Sequence, residues 1–553
     1  MKTVKKFSLV LAVIAISALL FVSAGGSDRG GTTQSGPSTL SANDRLPSIV
    51  QYPLKNAPKL TWWLDLSTHV SASYASLNDT PFAKGLIERT GVEIEFIHPA
   101  QNMAAEQFNL LIASGRMPDI IEYNWFTGYN GGPDAAIRNQ LIFPLNSVLD
   151  TWAPDFKKYM ADYSNINMDK MFKTDEGNYF GFAMTNIDDP VLTTSGPIIR
   201  QDWLDDVGLQ RPETIDELAA VLRAFRDRKG ASAPMVFTGG NNIANIYWQG
   251  AIIGAYKGFY DMYVDNGAIK YGPAEPAFKE AVALMAEWYR EGLIDKSFAS
   301  NRQPERDAYI LNGNSGVTFG YCSSSMDMLN RAFKEKNDPK AQLRGFKYPV
   351  LRKGETSWFG QRRNQVVTDY TAVVNPRISA AAREAAVKLL NYAFTQPGMY
   401  YYNFGTEGVS YTMINNFPTM ADFVMNPASG SLGQSCSRYT RSGTYGAPTE
   451  QKYDFLKQYL GAPELQNALS LWIQTDARYH IVPPITISAE EGRSYNRIKS
   501  DLNSYVLEWT TKVIAGDISV NEYDTVFLRT IRDIGVDEAV SIQNAALARY
   551  NKR

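Results

Sequence analysis

Between Leu60 and Glu122 the chain alternates between two periods, and this alternation limits its fold more than any other feature. Lys59-Leu60-Thr61-Trp62-Trp63-Leu64 is an apolar and aromatic run of strand length, and Val92-Glu93-Ile94-Glu95-Phe96-Ile97 alternates apolar and polar residues. Pro118-Asp119-Ile120-Ile121-Glu122 predicts a third strand. Two helical stretches lie between them, Phe82–Arg89 and Ala104–Ser114, closed by Gly91 and Gly115. Strand, helix, strand, helix, strand is the order of an α/β layer, and it predicts a mainly parallel sheet.

The pattern resumes further on. Gly181–Arg200 reads as extended, with Gly and Pro breaks. Thr214 followed by Glu217 is a capping box that opens a helix over Ile215–Arg228, with Ile215, Leu218, Leu222 and Phe225 on one face. Phe278, Val282, Met285 and Tyr289 mark another amphipathic helix. Strands are predicted at Pro234–Phe237, Gly316–Tyr321 and Thr371–Val374, and a helix at Ala380–Phe394. Ile498, Leu502, Tyr505, Trp509 and Val513 form a stripe closed by Gly516 in a mostly helical C-terminal part. At 553 residues the chain exceeds what one hydrophobic core supports, so two large domains are expected.

The first residues predict export. Lys2, Lys5 and Lys6 precede an apolar run from Phe7 to Val22, and Val22-Ser23-Ala24 fits a cleavage site before Gly25. Residues 1–24 are therefore expected to be a signal peptide. Residues 25–58, rich in Gly, Ser, Thr and Pro, are expected to be a flexible linker. Without the three leader lysines, 52 basic residues of the original 55 face 57 acidic ones, a net charge of −5. That balance gives no reason to invoke nucleic acid or an acidic membrane surface. Cys322 and Cys436 lack metal-type spacing and read as two buried free thiols, although an oxidising compartment would permit a disulfide.

No catalytic kit is legible. His69, His98 and His480 are the three histidines, and none is spaced with another His, Cys or acid as a zinc site would be. There is no Walker loop, no dinucleotide fingerprint after a strand and no properly spaced nucleophile elbow. No cofactor, metal or catalytic residue is assigned. A pair of facing carboxylates could still hide among 57 acids, so a secreted carbohydrate-active enzyme stays open as an alternative.

What the chain has in quantity is aromatic surface: 31 Tyr, 26 Phe and 10 Trp. Aromatic faces stack on the C–H faces of sugar rings while amides, carboxylates and guanidinium groups bond the hydroxyls. Ligands of parallel sheets sit at the C-terminal ends of strands. Trp63, Asn124, Trp125 and Tyr321 lie at or just after predicted strand ends. Trp248, within Asn245-Ile246-Tyr247-Trp248-Gln249, and Trp358 with Arg363, in a polar loop, complete the residues expected at a sugar site from position alone.

Several segments together resemble the family 1 extracellular solute-binding proteins, especially the large members that serve oligosaccharide importers. These segments are Phe108–Ile120, the turn Asp175–Gly181, Ile199–Leu209 with Pro212, Thr214 and Glu217, Trp288–Asp295, Gly405–Met413, and the end from Gly516 through Asn551. The resemblance implies an α/β, two-lobed periplasmic-binding-protein fold of type II, a Venus flytrap with a hinge between the lobes. It places the crossings near 192–197, 316–321 and 394–400, with an N-terminal lobe of 59–193 and 322–394 and a C-terminal lobe of 194–321 and 395–553. Arg200 and Asp202 become structural residues beside the hinge, and Tyr321, Glu407 and Tyr411 become ligand candidates. The implied function is capture of a carbohydrate, or of another solute, by a monomer that hands it to the permease subunits of an ABC importer. Two departures stand out. Asp227-Arg228-Lys229-Gly230 has one carboxylate where many large members carry a calcium loop, so no metal is expected there. Gly25 stands where a lipidated cysteine would, so a soluble periplasmic or extracellular protein is expected.

Overall fold

The computed structural model describes residues 49–239, 252–338, 340–429, 431–444 and 446–553. The leader, most of the expected linker and Trp248 therefore lie outside the described residues. Residues 49–58, expected as the end of that linker, are packed instead: Tyr52 donates its hydroxyl to Lys388 O, and Leu54 N donates to Thr90 O.

Local signals set the element ends. The helix Pro81–Thr90 starts under Thr80, whose hydroxyl accepts from Ala83 N, and Gly91 ends it at φ 71°. A side chain at Gly91 would also meet Leu54 O at 2.4 Å, so both the left-handed turn and the close approach demand glycine. The helix Ala104–Ser114 ends at Gly115 as expected, and Ile215–Lys229 carries the full Thr214–Glu217 capping box. The stripe from Ile498 to Val513 lies on a long helix, Ala489–Ala515, closed by Gly516.

Among the described residues, a six-stranded sheet contains β1 (Leu60–Trp63), β2 (Ile94–Ile97), β3 (Ile120–Tyr123), β4 (Phe182–Asn186), β10 (Val366–Val374) and β13 (Thr449–Gln451). Their order is β13-β4-β10-β3-β1-β2. β1 runs parallel to β2 and β3, and β13 runs parallel to β4. β10 is antiparallel to both neighbours, so the sheet is mixed where a mainly parallel one was expected. The reversal follows from the chain path: β10 enters the sheet at the ends where β1 and β3 finish. A second sheet, β5 (Ser195–Arg200), β8 (Val317–Tyr321) and β9 (Leu343–Gly345), is antiparallel in the order β8-β5-β9. β6 (Met262–Asp265) with β7 (Ala268–Tyr271), and β11 (Tyr411–Ile414) with β12 (Phe417–Met420), are hairpins. The strand expected at Pro234–Phe237 is reduced to single bridges from Met235 to Ile294 and Val317.

Each large sheet carries its own core. Leu60, Trp62, Phe82, Phe182, Val374 and Leu390 belong to the first. Ile198, Trp203, Leu222, Phe278, Phe319 and Trp509 belong to the second. The chain passes between the cores at about 187–191, 359–366 and 447–456, which differs from the expected crossings. Residues 322–359 stay with the second core because β9 pairs with β5, and Met326, Leu329, Phe333 and Phe359 pack there. Tyr401, Tyr402 and Ala447 stay with the first. Arg200 has the structural role expected of it: it is buried, bidentate on Asp202 at 2.8 and 2.6 Å, and lies over Trp203 and Phe333. Cys322 and Cys436 are free and buried in separate clusters. Burial pushes the Cys436 thiol up to about 12.

Candidate ligand-binding cleft

A cavity of about 750 Å³ opens at the C-terminal ends of β1 and β3 and the N-terminal end of β10. Ligands collect at such ends because connecting loops leave the sheet there and free backbone and side-chain groups converge. Past β1 the chain turns through Asp65 and Leu66 to Ser67, whose hydroxyl accepts from His69 N and starts a short helix. His69 faces the cavity and is backed by Gly433, where an added Cβ would lie 2.8 Å from the imidazole. β10 contributes through an irregularity. Its register against β4 shifts between Val367 and Thr371, and Thr368, Asp369 and Tyr370 at this bulge line the cavity.

The floor is an ion pair. Glu122 Oε2 accepts from Arg441 at 2.6 Å with both side chains buried, and Glu122 Oε1 accepts from Ala447 N at 2.9 Å. Arg441 also donates to Ala447 O and Thr444 Oγ1. Burial pushes the Glu122 carboxyl up, against the opposing pull of Arg441 and the Ala447 N–H. Burial likewise raises Asp65 at the cavity wall. Beside it, His98 is locked as a neutral tautomer: Nε2 accepts from Leu77 N, so Nδ1 carries the proton and donates to Leu64 O at 3.0 Å. Burial pulls the pKa of both His98 and His69 down.

A smaller cavity of about 290 Å³ shares Arg362 and Ile481 with the larger one and is lined by Phe259, Tyr260, Tyr263 and Phe359 among others. Phe259 and Tyr263 stack at 4.5 Å, and His480 lies between Phe259 and Trp358, stacked on the indole at 4.2 Å. Arg362 crosses from one cavity to the other and pairs with Asp189 at 2.7 Å. Hydroxyl-bonding groups and ring faces thus stand side by side, the combination a sugar needs. His69 lines the larger cavity and His480 the smaller one, although the two are far apart in sequence.

The residues expected at a sugar site divide. Arg363 lines the larger cavity, and Asn124 donates from Nδ2 to Asp369, which lines it too. Trp358 stands behind His480, and Tyr321 is close enough to Tyr260 in the smaller cavity to raise that phenol. Trp63 and Trp125 line neither cavity. They pack about Phe108, at 6.3 and 5.2 Å between ring centroids, with Trp125 fully buried. A strand-end position is not enough to reach a cleft when helices cover both faces of the sheet. Glu407 and Tyr411 sit at the β11–β12 hairpin, away from both cavities, with Tyr411 stacked on Tyr400 at 6.5 Å. Sequence reasoning missed Asp65, His69, Arg362, Asp369, Tyr370 and Arg441. Only Asp65, the second residue after β1, carried a positional signal.

Comparison with known proteins agrees with this geometry. The sequence profile of the bacterial extracellular solute-binding proteins matches residues 74–400. Lipoprotein LipO of Bacillus subtilis (strain 168) is 26% identical over 276 residues, 48% of this chain and 51% of that protein. The fructooligosaccharide ABC transporter substrate-binding protein FusA of Streptococcus pneumoniae serotype 4 is 23% identical over 320 residues, covering 53% of this chain and 56% of FusA. The chain spans about half the length of the curated relatives it matches. In fold it is similar to the alginate-binding protein AlgQ2 solved without calcium ion, with TM-score 0.69, 22% identity, and coverage of 89% of this chain and 98% of that one. It is also similar to a solute-binding protein of Bifidobacterium longum infantis described as binding HMO, with TM-score 0.71, 18% identity, and coverage of 90% and 100%. These likenesses, and the two cores flanking the cleft, mark a two-lobed α/β fold. The chain belongs to the bacterial extracellular solute-binding protein family.

Proposed function

We propose that this protein is the extracytoplasmic solute-binding component of an ABC importer, capturing an oligosaccharide in the cleft and delivering it to the membrane permease. The observation that carries this reading is the pairing of a polar cavity at the strand ends with an adjoining aromatic one. A sugar presents hydroxyl edges and apolar ring faces, and the two cavities present complementary groups to each. A volume of about 750 Å³ falls within the range of pockets that engulf a ligand of several rings. Relatives are named for polygalacturonan and rhamnogalacturonan binding and for fructooligosaccharide transport, which favours the same class. Export by the leader, action as a monomer and binding without catalysis complete the proposal. No helix among the described residues is long and apolar enough to cross a membrane.

The test is a titration of the mature chain with a panel of oligosaccharides, read by tryptophan fluorescence and by melting temperature, with the sugar recovered afterwards. At least one saccharide is expected to shift both signals and to be recovered intact. Silence across the panel in both measurements refutes carbohydrate capture. Shortened sugar in the recovered fraction refutes binding without catalysis.

A further inference from the structure

The charges lining the larger cavity are unequally committed. Arg441 is spent on Glu122, and Arg362 on Asp189. Arg363 has an interaction of its own as well. Asp65 and Asp369 differ: among the described residues neither has a basic side chain within ion-pairing distance, and both line the cavity. Asp369 is held by Asn124 Nδ2 at 2.7 Å, a neutral donor that orients the carboxylate and leaves its charge intact. Asp65 is exposed to the cavity and close enough to Glu122 and Tyr370 to act on both groups. Asp369 acts on the same tyrosine, and all three residues line the one cavity, so the two carboxylates share a part of its wall with Tyr370. Residues 240–251 contain no charged side chain and cannot supply a compensating cation.

A carboxylate accepts hydrogen bonds at both oxygens and donates none. Such a pair suits a ligand that brings hydroxyl donors, and it opposes one that brings carboxylates of its own. Recognition of a uronate needs the reverse, an uncommitted guanidinium or ammonium group that can take a carboxylate in bidentate fashion. We infer that this cleft selects neutral oligosaccharides and rejects polyuronates, with Asp65 and Asp369 as the residues that set this preference. The inference rests on the carbohydrate reading above and narrows it.

The experiment is isothermal calorimetry on the mature chain at low and at moderate salt. Its probes are four neutral oligosaccharides (kestose, maltotriose, xylotriose and mannotriose) and two acidic ones (trigalacturonate and trimannuronate). At least one neutral sugar is expected to bind at least tenfold more tightly than either uronate, and the residual uronate affinity should rise with salt as repulsion is screened. Asp65→Asn and Asp369→Asn should narrow the gap at least threefold each, by weakening the neutral sugar and strengthening the uronate. Both variants are isosteric and hydrogen-bonding, and their melting curves check that the fold is intact. Uronate binding equal to or tighter than that of every neutral sugar overturns the inference and leaves carbohydrate capture standing. An unchanged ratio in both variants overturns the assignment to Asp65 and Asp369. No heat from any of the six sugars removes the carbohydrate reading itself, and this inference with it.

Discussion

The Glu122–Arg441 pair makes a prediction whose sign depends on which partner is removed. Both side chains are nearly inaccessible, and the bond joins the end of β3 to a loop 319 residues later. Removing one partner of a buried pair leaves a charge without water or counterion, which costs about 3–5 kcal/mol. The two losses differ in whether that charge can be discharged. In Glu122→Gln the guanidinium stays protonated at every accessible pH, so the cost should not depend on pH. In Arg441→Met the carboxylate retains the Ala447 N–H as its donor, and burial already pushes its pKa up. Buried glutamates without a cation reach a pKa of about 8–9. A folded value raised above the unfolded one gives stability that is full below the unfolded pKa and is lost as pH rises. The loss is about 1.4 kcal/mol per pH unit, hence about 2.7 kcal/mol between about pH 5.5 and 7.5. Urea melts of both variants at those two pH values, followed by tryptophan fluorescence, measure it against the native protein. A flat Arg441→Met profile, or an equally steep Glu122→Gln profile, refutes the assignment of a buried carboxylate paired with Arg441. The double variant Glu122→Gln/Arg441→Met should recover part of the loss, since no buried charge remains.

Three further outcomes follow from the packing. Gly196→Ala places a methyl 2.5 Å from the Trp472 ring, which is fully buried and held against β5 by its indole N–H on Pro197 O; an overpacking cost of about 1–3 kcal/mol should lower the urea midpoint. His98 is neutral in the fold with its pKa pulled down, so its contribution is full above about pH 6.5 and is lost as pH falls below that value; acid titrations should show a shallower loss in His98→Gln than in the native protein. Trp358→Ala releases the His480 ring that lines the aromatic cavity, and losing a stack of about 0.5–1.5 kcal/mol should weaken the best saccharide by about two- to tenfold in calorimetry.

What could be read from the sequence was local. Thr214 with Glu217, Gly91 after Arg89 and Thr90, and Gly115 after Ser114 are signals within one helical turn, and each set its helix end as expected. The antiparallel entry of β10 is not local. It is decided by where the chain returns from the second core, and no residue within 366–374 encodes it. The same holds for the site. Aromatic strand ends were legible, but the face on which Trp63 and Trp125 pack depends on the helix carrying Phe108, so both entered the core. Asp369 reached the cleft through a register shift, and Arg441 through a loop that closes onto Glu122. His69 and His480, far apart in sequence, looked unrelated because spacing arguments detect only ligands carried by one element or loop.

One segment joins these observations. Residues 359–366 lead from the second core into β10, and Arg362 and Arg363 on that segment line the cleft. The same segment is sewn to the first crossing: Asn186 N donates to Gln365 O, Arg363 N donates to Leu192 O, and Arg362 pairs with Asp189. The third crossing is sewn to the first as well, through Tyr453 N and Asp188. Groups that face a ligand and groups that connect the cores are therefore neighbours in one hydrogen-bonded strip. On the proposed function, a ligand that engages Arg362 or Arg363 would act on the connection between the cores directly, since the same segment carries both. It favours whichever arrangement of the crossings it binds more tightly, and that difference in affinity is the whole of the work available for closing a cleft.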